Sequence, residues 1–546
     1  MIVGVNGATL ASCSSQDDKA ANGGDAATND GSSGGEGISN AGGSSLGSGG
    51  TANTGGSPSG GGVLSTGATV NTGGGTTTAT DAAVGGDAGS ASAEVHDCQN
   101  PGWDPNQFTT VHDVGPGQMF ATPSEVPWES IQAGTLVRIH PGSQPYNDKW
   151  VISASGTADQ PVVVLGVPDS SGKLPQIRGD QANTRSALDF WNEDRGIVKI
   201  GGSNMPADAA AFVTLQCLDI ASARPGISFH ASDGTVVEYQ SNAACVYLES
   251  GEHLDIRNNT IHGCGNGIFI SNGSSEVTIA ANYIYDNGNP GSAYEHNSYT
   301  EASHITFEFN HYGPLCDGCD GNNLKDRSAG TVIRYNWIES GNRQLDLVES
   351  DFDELINDPA YRRTVVYGNV LIEPDGAGNS QIVHYGGDGG DTSKYRKGYL
   401  YFFHNTVVST RSGNTTLLRL SSEEESASVL NSVISVAAAG NTLAISAGMG
   451  AAALEGNWLP QGWVDTHDTL TGTVTSSTNV EGDQPGFVDA ALQNFELDKG
   501  STCINAASAL PAALADHPVL FEYDAPQSAR ARPMDDMPDI GAYETN

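Results

Sequence analysis

The chain has 546 residues, of which 70 are glycine and only 37% are hydrophobic, so part of it cannot bury enough apolar surface to fold. Asp and Glu total 64 against 24 Lys and Arg, a net charge of −40. That balance argues against nucleic acid, which needs a basic footprint, and against capture of a polyanion unless a metal ion or a local basic patch intervenes.

Residues 1–13 end in Leu10-Ala11-Ser12-Cys13, which resembles the lipobox of bacterial lipoproteins. The segment before it is short and has no Lys or Arg, so it reads as a truncated lipoprotein-type signal. The resemblance implies a lipid on Cys13 and, with Ser14 following, an outer-membrane or extracellular location. Residues 14–93 are Gly, Ser, Thr, Ala and Asn with hardly an aromatic; they read as a disordered tether spanning roughly 50 Å.

Order is expected over 98–546. β-rich runs (LVRIHPG, KWVISAS, PVVVLGV) are separated by Gly, Pro and Asp turns, and residues 127–131 (PWESI) read as a short helix covering the open end of the strands. Seven phrases follow: LDIRNNTI, VTIAANYI, ITFEFNHY, VIRYNWI, VVYGNVL, YFFHNTV and SVLNSVI. Their asparagines are Asn259, Asn282, Asn310, Asn336, Asn369, Asn405 and Asn431, spaced 23 to 36 residues apart. A short-strand repeat with variable insertions predicts an all-β solenoid, a right-handed parallel β-helix, with the asparagines as scaffold. The last segment, 487–546, is loop-rich and is expected to pack along the final coils. After Cys13, seven cysteines remain; Cys316-Asp-Gly-Cys319 reads as a loop disulfide, since neither a second zinc-ligand pair nor a thioredoxin-like setting accompanies it.

The entry segment VPWESIQAGTLVRIHPGSQPYNDKWVISASGTADQPVVVLGVP, the asparagine phrases and the ending CINAAS…DIGAYE together resemble bacterial β-helix proteins, including polysaccharide lyases of the chondroitinase B and alginate lyase type. The resemblance implies a lyase that cleaves a uronate-containing polysaccharide by β-elimination, with Lys325 in Asn322-Asn323-Leu324-Lys325-Asp326-Arg327 matching the catalytic lysine segment. A lysine base must be neutral and close to a cation that stabilises the enediolate, and Arg327 or a bound Ca²⁺ would supply it. Where such lyases carry an arginine on the next coil, this chain has Asp346, Val348 and Glu349, with Arg343 earlier in the turn.

Stacking the strands places Leu248, Ile270, Tyr299, Leu324, Leu347 and His384 inward. It leaves Tyr247, Phe269, Ser298, Asn323, Asp346 and Val383, with Glu249, Ser271, Thr300, Lys325, Val348 and Tyr385, outward. Lys325, Arg327 and His296 are therefore the catalytic candidates, His296 as the acid for the leaving oxygen. Asn323, Asp346, Arg343, Tyr247, Phe269 and Tyr385 are the substrate-binding candidates, the aromatics for stacking on sugar rings. Lys394, Arg396 and Lys397 offer a further contact for an anionic sugar. The acidic run Asp346, Glu349, Asp351, Asp353 and Glu354 reads as a Ca²⁺ site or as a solvated loop. The paired aspartates of β-helix hydrolases have no counterpart on this face, Asp535-Asp536 lying in the tail. A monomer is expected. The rival readings are a non-catalytic glycan-binding or adhesin-like β-helix and a structural passenger with no glycan role.

Overall fold

In the computed structural model the described residues are 97–437, 442–534 and 537–545. Cys13, the expected tether and Asp535-Asp536 lie outside them.

The chain winds into coils whose strands pair with the coil before and the coil after, almost always in parallel. Each full coil contributes to three faces. On the first, Gly196–Ile200, the start of Ala244–Arg257, the start of Asn266–Ala280, Ser298–Thr300, Leu324–Asp326, Leu345–Leu347, Gln381–Tyr385 and Thr415–Leu420 follow one another in register. The second face includes Ser303–Glu308, Ala329–Arg334 and Arg363–Tyr367. The third is an eleven-stranded parallel sheet from Gln176–Arg178 to Val480–Gly482. Alternation sends every second side chain of a strand into the coil. The interior is thus a continuous stack of Val, Ile and Leu, including Ile268, Ile270, Leu324, Leu345 and Leu347, each at 0–1% exposure.

The asparagine phrases mark the corner between the second and third faces. Asn259, Asn282, Asn310, Asn336 and Asn369 each give a backbone N–H and a side-chain amide to the Oδ1 of the next asparagine up the helix, at 2.9–3.1 Å. The residue before each corner takes a left-handed conformation: Asn258, Ala281, Phe309, Tyr335, Gly368 and His404 all have φ between +48° and +67°. For a non-glycine residue that costs roughly 1–2 kcal/mol, and the buried ladder bonds offset it. At the seventh phrase the register differs from the sequence expectation. Ser432 takes the ladder position, accepting from Asn405 N and donating its own N–H to Asn457 Oδ1, while Asn431 occupies the left-handed corner.

Residues 127–131 form no α-helix. Trp128–Ser130 is a single 3₁₀ turn, which ends where Ile131 leaves helical dihedrals at φ −58° and ψ 137°. Trp128 lies in the core, stacked on Trp150 with ring centroids 5.1 Å apart. The C-terminal segment covers the aromatic residues at the corners. Leu514 and Phe521 pack with Phe309, Tyr335, Tyr367 and Phe403, and the Tyr335 hydroxyl bonds Pro518 O and Leu520 N. Disulfides join Cys98 to Cys217, Cys245 to Cys264 and Cys316 to Cys319; Cys503 is buried and unpaired.

Candidate functional site

The first face carries one outward column: Lys199, Tyr247, Phe269, Tyr299, Lys325, Asp346, His384 and Arg419. It differs from the expected column on two coils. Tyr299 and His384 point outward. Ser298, Thr300, Val383 and Tyr385 point inward, and Tyr385 is fully buried. The slip is one residue, which inverts a strand. Its cause is polar residues in the interior: Thr300 and Thr331 hydroxyls donate to the buried Asp326 carboxylate at 2.8 and 2.7 Å, and the fully buried Arg396 pairs with it at 3.2 Å. Arg396 is therefore an internal strut, not a sugar contact.

Asn323 also lies inside. It accepts from Asn297 Nδ2 and donates to Glu339 O, forming a second asparagine corner. Tyr247 and Phe269 are in the outward column, but their rings meet edge to face at 5.4 Å and the Arg195 guanidinium covers both at 5.0–5.1 Å. Tyr247 is only 4% exposed. They are not an open stacking platform.

Lys325, Arg327, Asp346 and Arg343 do come together. Lys325 Nζ donates to Asp346 Oδ2 at 2.7 Å and to Asp388 Oδ2 at 2.6 Å. Arg327 Nη2 reaches Asp388 Oδ1 at 3.2 Å, so the two cations cradle one carboxylate. Arg343 lies 3.8 Å from Asp346 and donates to Gln381. Asp388 belongs to the loop that follows Gln381–Tyr385. Glu349 holds that loop in place by accepting the N–H groups of Asp388 and Gly389 at 2.8 and 2.6 Å.

Electrostatics fix the protonation states. Burial would lower the Lys325 pKa, but Asp346 and Asp388 more than compensate and it is raised. Asp346 is desolvated too, yet Lys325 and His384 hold it well below the usual carboxylate range. Burial, then the nearby Lys325, pushes His296 down to about 3. His296 Nδ1 accepts from the Asn322 N–H at 2.9 Å, so its Nε2 carries the proton. It is a neutral donor beside Tyr299, with ring centroids 5.5 Å apart.

Asp388 and Ser421 were not singled out from the sequence, and His384 was assigned only to the interior. The signal for them is in His384-Tyr385-Gly386-Gly387-Asp388-Gly389-Gly390, where four glycines in five residues mark close approach of backbone to its neighbours. The expected Ca²⁺ run is dispersed. Asp346 pairs with Lys325, Glu349 holds the 388–389 loop, and Glu354 accepts from Asn272. Among the described residues no group of three His, Cys, Asp or Glu is arranged to hold a metal ion.

Residues 189–355 match the family model described as a right handed beta helix region. The fold is a right-handed parallel β-helix. No curated protein matches the chain. Solved structures similar to it include pectate lyase Pel9A (12% identity, 80% of this chain and 97% of that one, TM-score 0.45). An alginate lyase from Paenibacillus sp. str. FPU-7 matches at 12% identity, 65% and 99% coverage and TM-score 0.42. The Streptococcus pneumoniae surface protein and adhesin PfbA matches at 10% identity, 66% and 91% coverage and TM-score 0.38.

Proposed function

We propose that this β-helix acts on a uronate-containing polysaccharide and cleaves it by β-elimination at the Lys325–Arg327 cradle. The observation that carries the reading is the Asp388 carboxylate held between the two cations. A uronate carboxylate has the same charge and the same planar pair of oxygens, and charge-assisted bonds of the kind Asp388 makes here would hold it. In this reading the sugar displaces Asp388 and Arg327 neutralises its carboxylate. Lys325 takes the adjacent carbon-bound proton while the Nε2–H of His296 bonds the departing oxygen. Because its carboxylate neighbours raise the Lys325 pKa, the neutral base forms on the alkaline side, and elimination is expected to rise with pH there. Ca²⁺ is the other cation this reading admits. The reading also places the domain outside the bacterial cell as a monomer, with Cys13 as the lipid anchor.

The second reading is a non-catalytic glycan-binding protein. The double ion pair that keeps Lys325 charged favours it. The test is to incubate the protein with alginate, pectate and glycosaminoglycans, with and without Ca²⁺, and follow the absorbance of the unsaturated product between neutral and alkaline pH. Product formation that disappears in both Lys325→Ala and Lys325→Gln supports elimination. Uronate binding with no product on any substrate leaves the binding role, and full activity in both variants defeats the site assignment.

A further inference from the structure

Over the three coils beyond Lys325 the outward column holds a hydrogen-bonded series of which the uronate reading uses only Asp346, through its pairing with Lys325. We propose that Ser421 is a nucleophile toward carboxylic esters, with His384 as its general base and Asp346 as the group that positions the imidazole.

The distances are those such a relay needs. Asp346 Oδ1 lies 2.7 Å from His384 Nδ1, and His384 Nε2 lies 2.8 Å from Ser421 Oγ. The direction of each bond is determined. Asp346 is ionised, so Nδ1 must donate to it and Nε2 is left with its lone pair. Ser421 Oγ–H therefore donates to Nε2, its other acceptor being Tyr385 O at a longer 3.4 Å. Burial keeps the imidazole neutral, which is the form a base requires.

The backbone is shaped for this contact. Gly386 sits at φ +134°, where a Cβ would come within 2.7–2.8 Å of Ser421 Cβ and Oγ. The Gly387 N–H fixes the hydroxyl at 2.9 Å. Ser421 is half-buried, whereas His384 is fully buried. Arg419, two residues earlier and outward on the same edge, is half-buried and forms no ion pair among the described residues. It is the cation available to charge developing on the ester carbonyl oxygen.

In the reaction Ser421 Oγ bonds to the ester carbonyl carbon and its proton passes to His384 Nε2. The tetrahedral adduct collapses, the carbon–oxygen bond to the alcohol breaks, and His384 returns the proton to that oxygen. Water, deprotonated by His384, then releases the acyl group as a carboxylic acid and restores Ser421. Elimination would be read from an unsaturated sugar and ester cleavage from a free acid, so each reading fails independently of the other.

The full chain is treated with a fluorophosphonate and the labelled peptide located by mass spectrometry, and 4-nitrophenyl acetate hydrolysis is followed in parallel. The expected results are an adduct on Ser421, its loss in His384→Asn, and hydrolysis reduced by about a hundredfold or more in Ser421→Ala. Ser421→Ala deletes a single oxygen, so its fold is retained and the comparison stands even if His384→Asn unfolds. Absence of an adduct at Ser421, or wild-type hydrolysis by Ser421→Ala, overturns the proposal.

Discussion

Asp388 occupies the place assigned to a substrate carboxylate, so the cradle is closed by its own chain. Its carboxyl is about one-third exposed, and each partly exposed pair it gives up is worth up to about 1 kcal/mol. Asp388→Ala is therefore expected to tighten binding of a uronate oligosaccharide by about fivefold to tenfold, measured by titration calorimetry. Weaker binding would mean that Asp388 is a wall of the site rather than a plug in it. Lys325 is more deeply committed. It shares Asp346 with His384 and with Arg343, so removing its charge leaves a buried carboxylate with fewer partners. Lys325→Ala is expected to cost roughly 3–5 kcal/mol of stability by denaturant unfolding. Lys325→Arg, which keeps the charge, should recover most of that stability while lacking a side chain able to act as a base.

At the scale of the element, the corner ladder links each coil to the next through buried side-chain amides. Asn336 accepts from the Asn310 backbone and amide and donates to Phe307 O and Asn369 Oδ1. Asn336→Ala would strand these partners away from water, at roughly 2–4 kcal/mol by denaturant unfolding. A loss below about 1 kcal/mol would show that the apolar stack alone sets the register. The Ser432 corner shows that the ladder tolerates a hydroxyl, because what the position requires is an acceptor for the preceding backbone N–H. Asn431, one residue earlier, bonds the C-terminal segment instead, donating to Ser508 O and accepting from Ser508 N.

For the whole molecule, burial of titratable groups determines the response to acid. His296 and His404 are both pushed by burial to about 3 from the ordinary 6.5. Folding therefore excludes protons from them, and the stability this contributes is present above pH 6.5 and is lost as pH falls toward 3. Asp219, Asp346 and Asp388 are held below 3.8 by His262 and Arg178, by Lys325 and His384, and by Lys325 and Arg327. Their contribution is present above that value and is lost below it. These two groups act in the same direction, but the carboxyls that burial raises, Glu373 to about 7 and Asp148, Asp255, Glu301, Glu349, Glu522 and Glu544 upward, bind protons on folding and oppose them above about pH 4. The net fall of the thermal midpoint is therefore expected below about pH 4. A midpoint unchanged between pH 4 and pH 3 would contradict the proton exclusion assigned to these histidines and aspartates.

The repeat, the corner asparagines and the outward direction of Lys325 are legible in the sequence because they rest on local rules: alternation along a strand and a turn that recurs once per coil. Which residue opposes which is not local. It depends on how many residues each insertion spends before the chain returns to the first face, and on polar groups such as Thr300 and Asp326 accepted into the interior. A periodicity argument assigns such residues to solvent, and so Tyr299, His384 and Tyr385 were turned the wrong way. The cradle brings together side chains 63 residues apart, Lys325 and Asp388, and the relay joins Asp346, His384 and Ser421 across three coils. The sequence by itself determined a parallel solenoid with a basic group at Lys325. Only the tertiary structure decided what that group meets, because side chains on successive coils are brought to about 4.8 Å by strand pairing and not by their spacing along the chain.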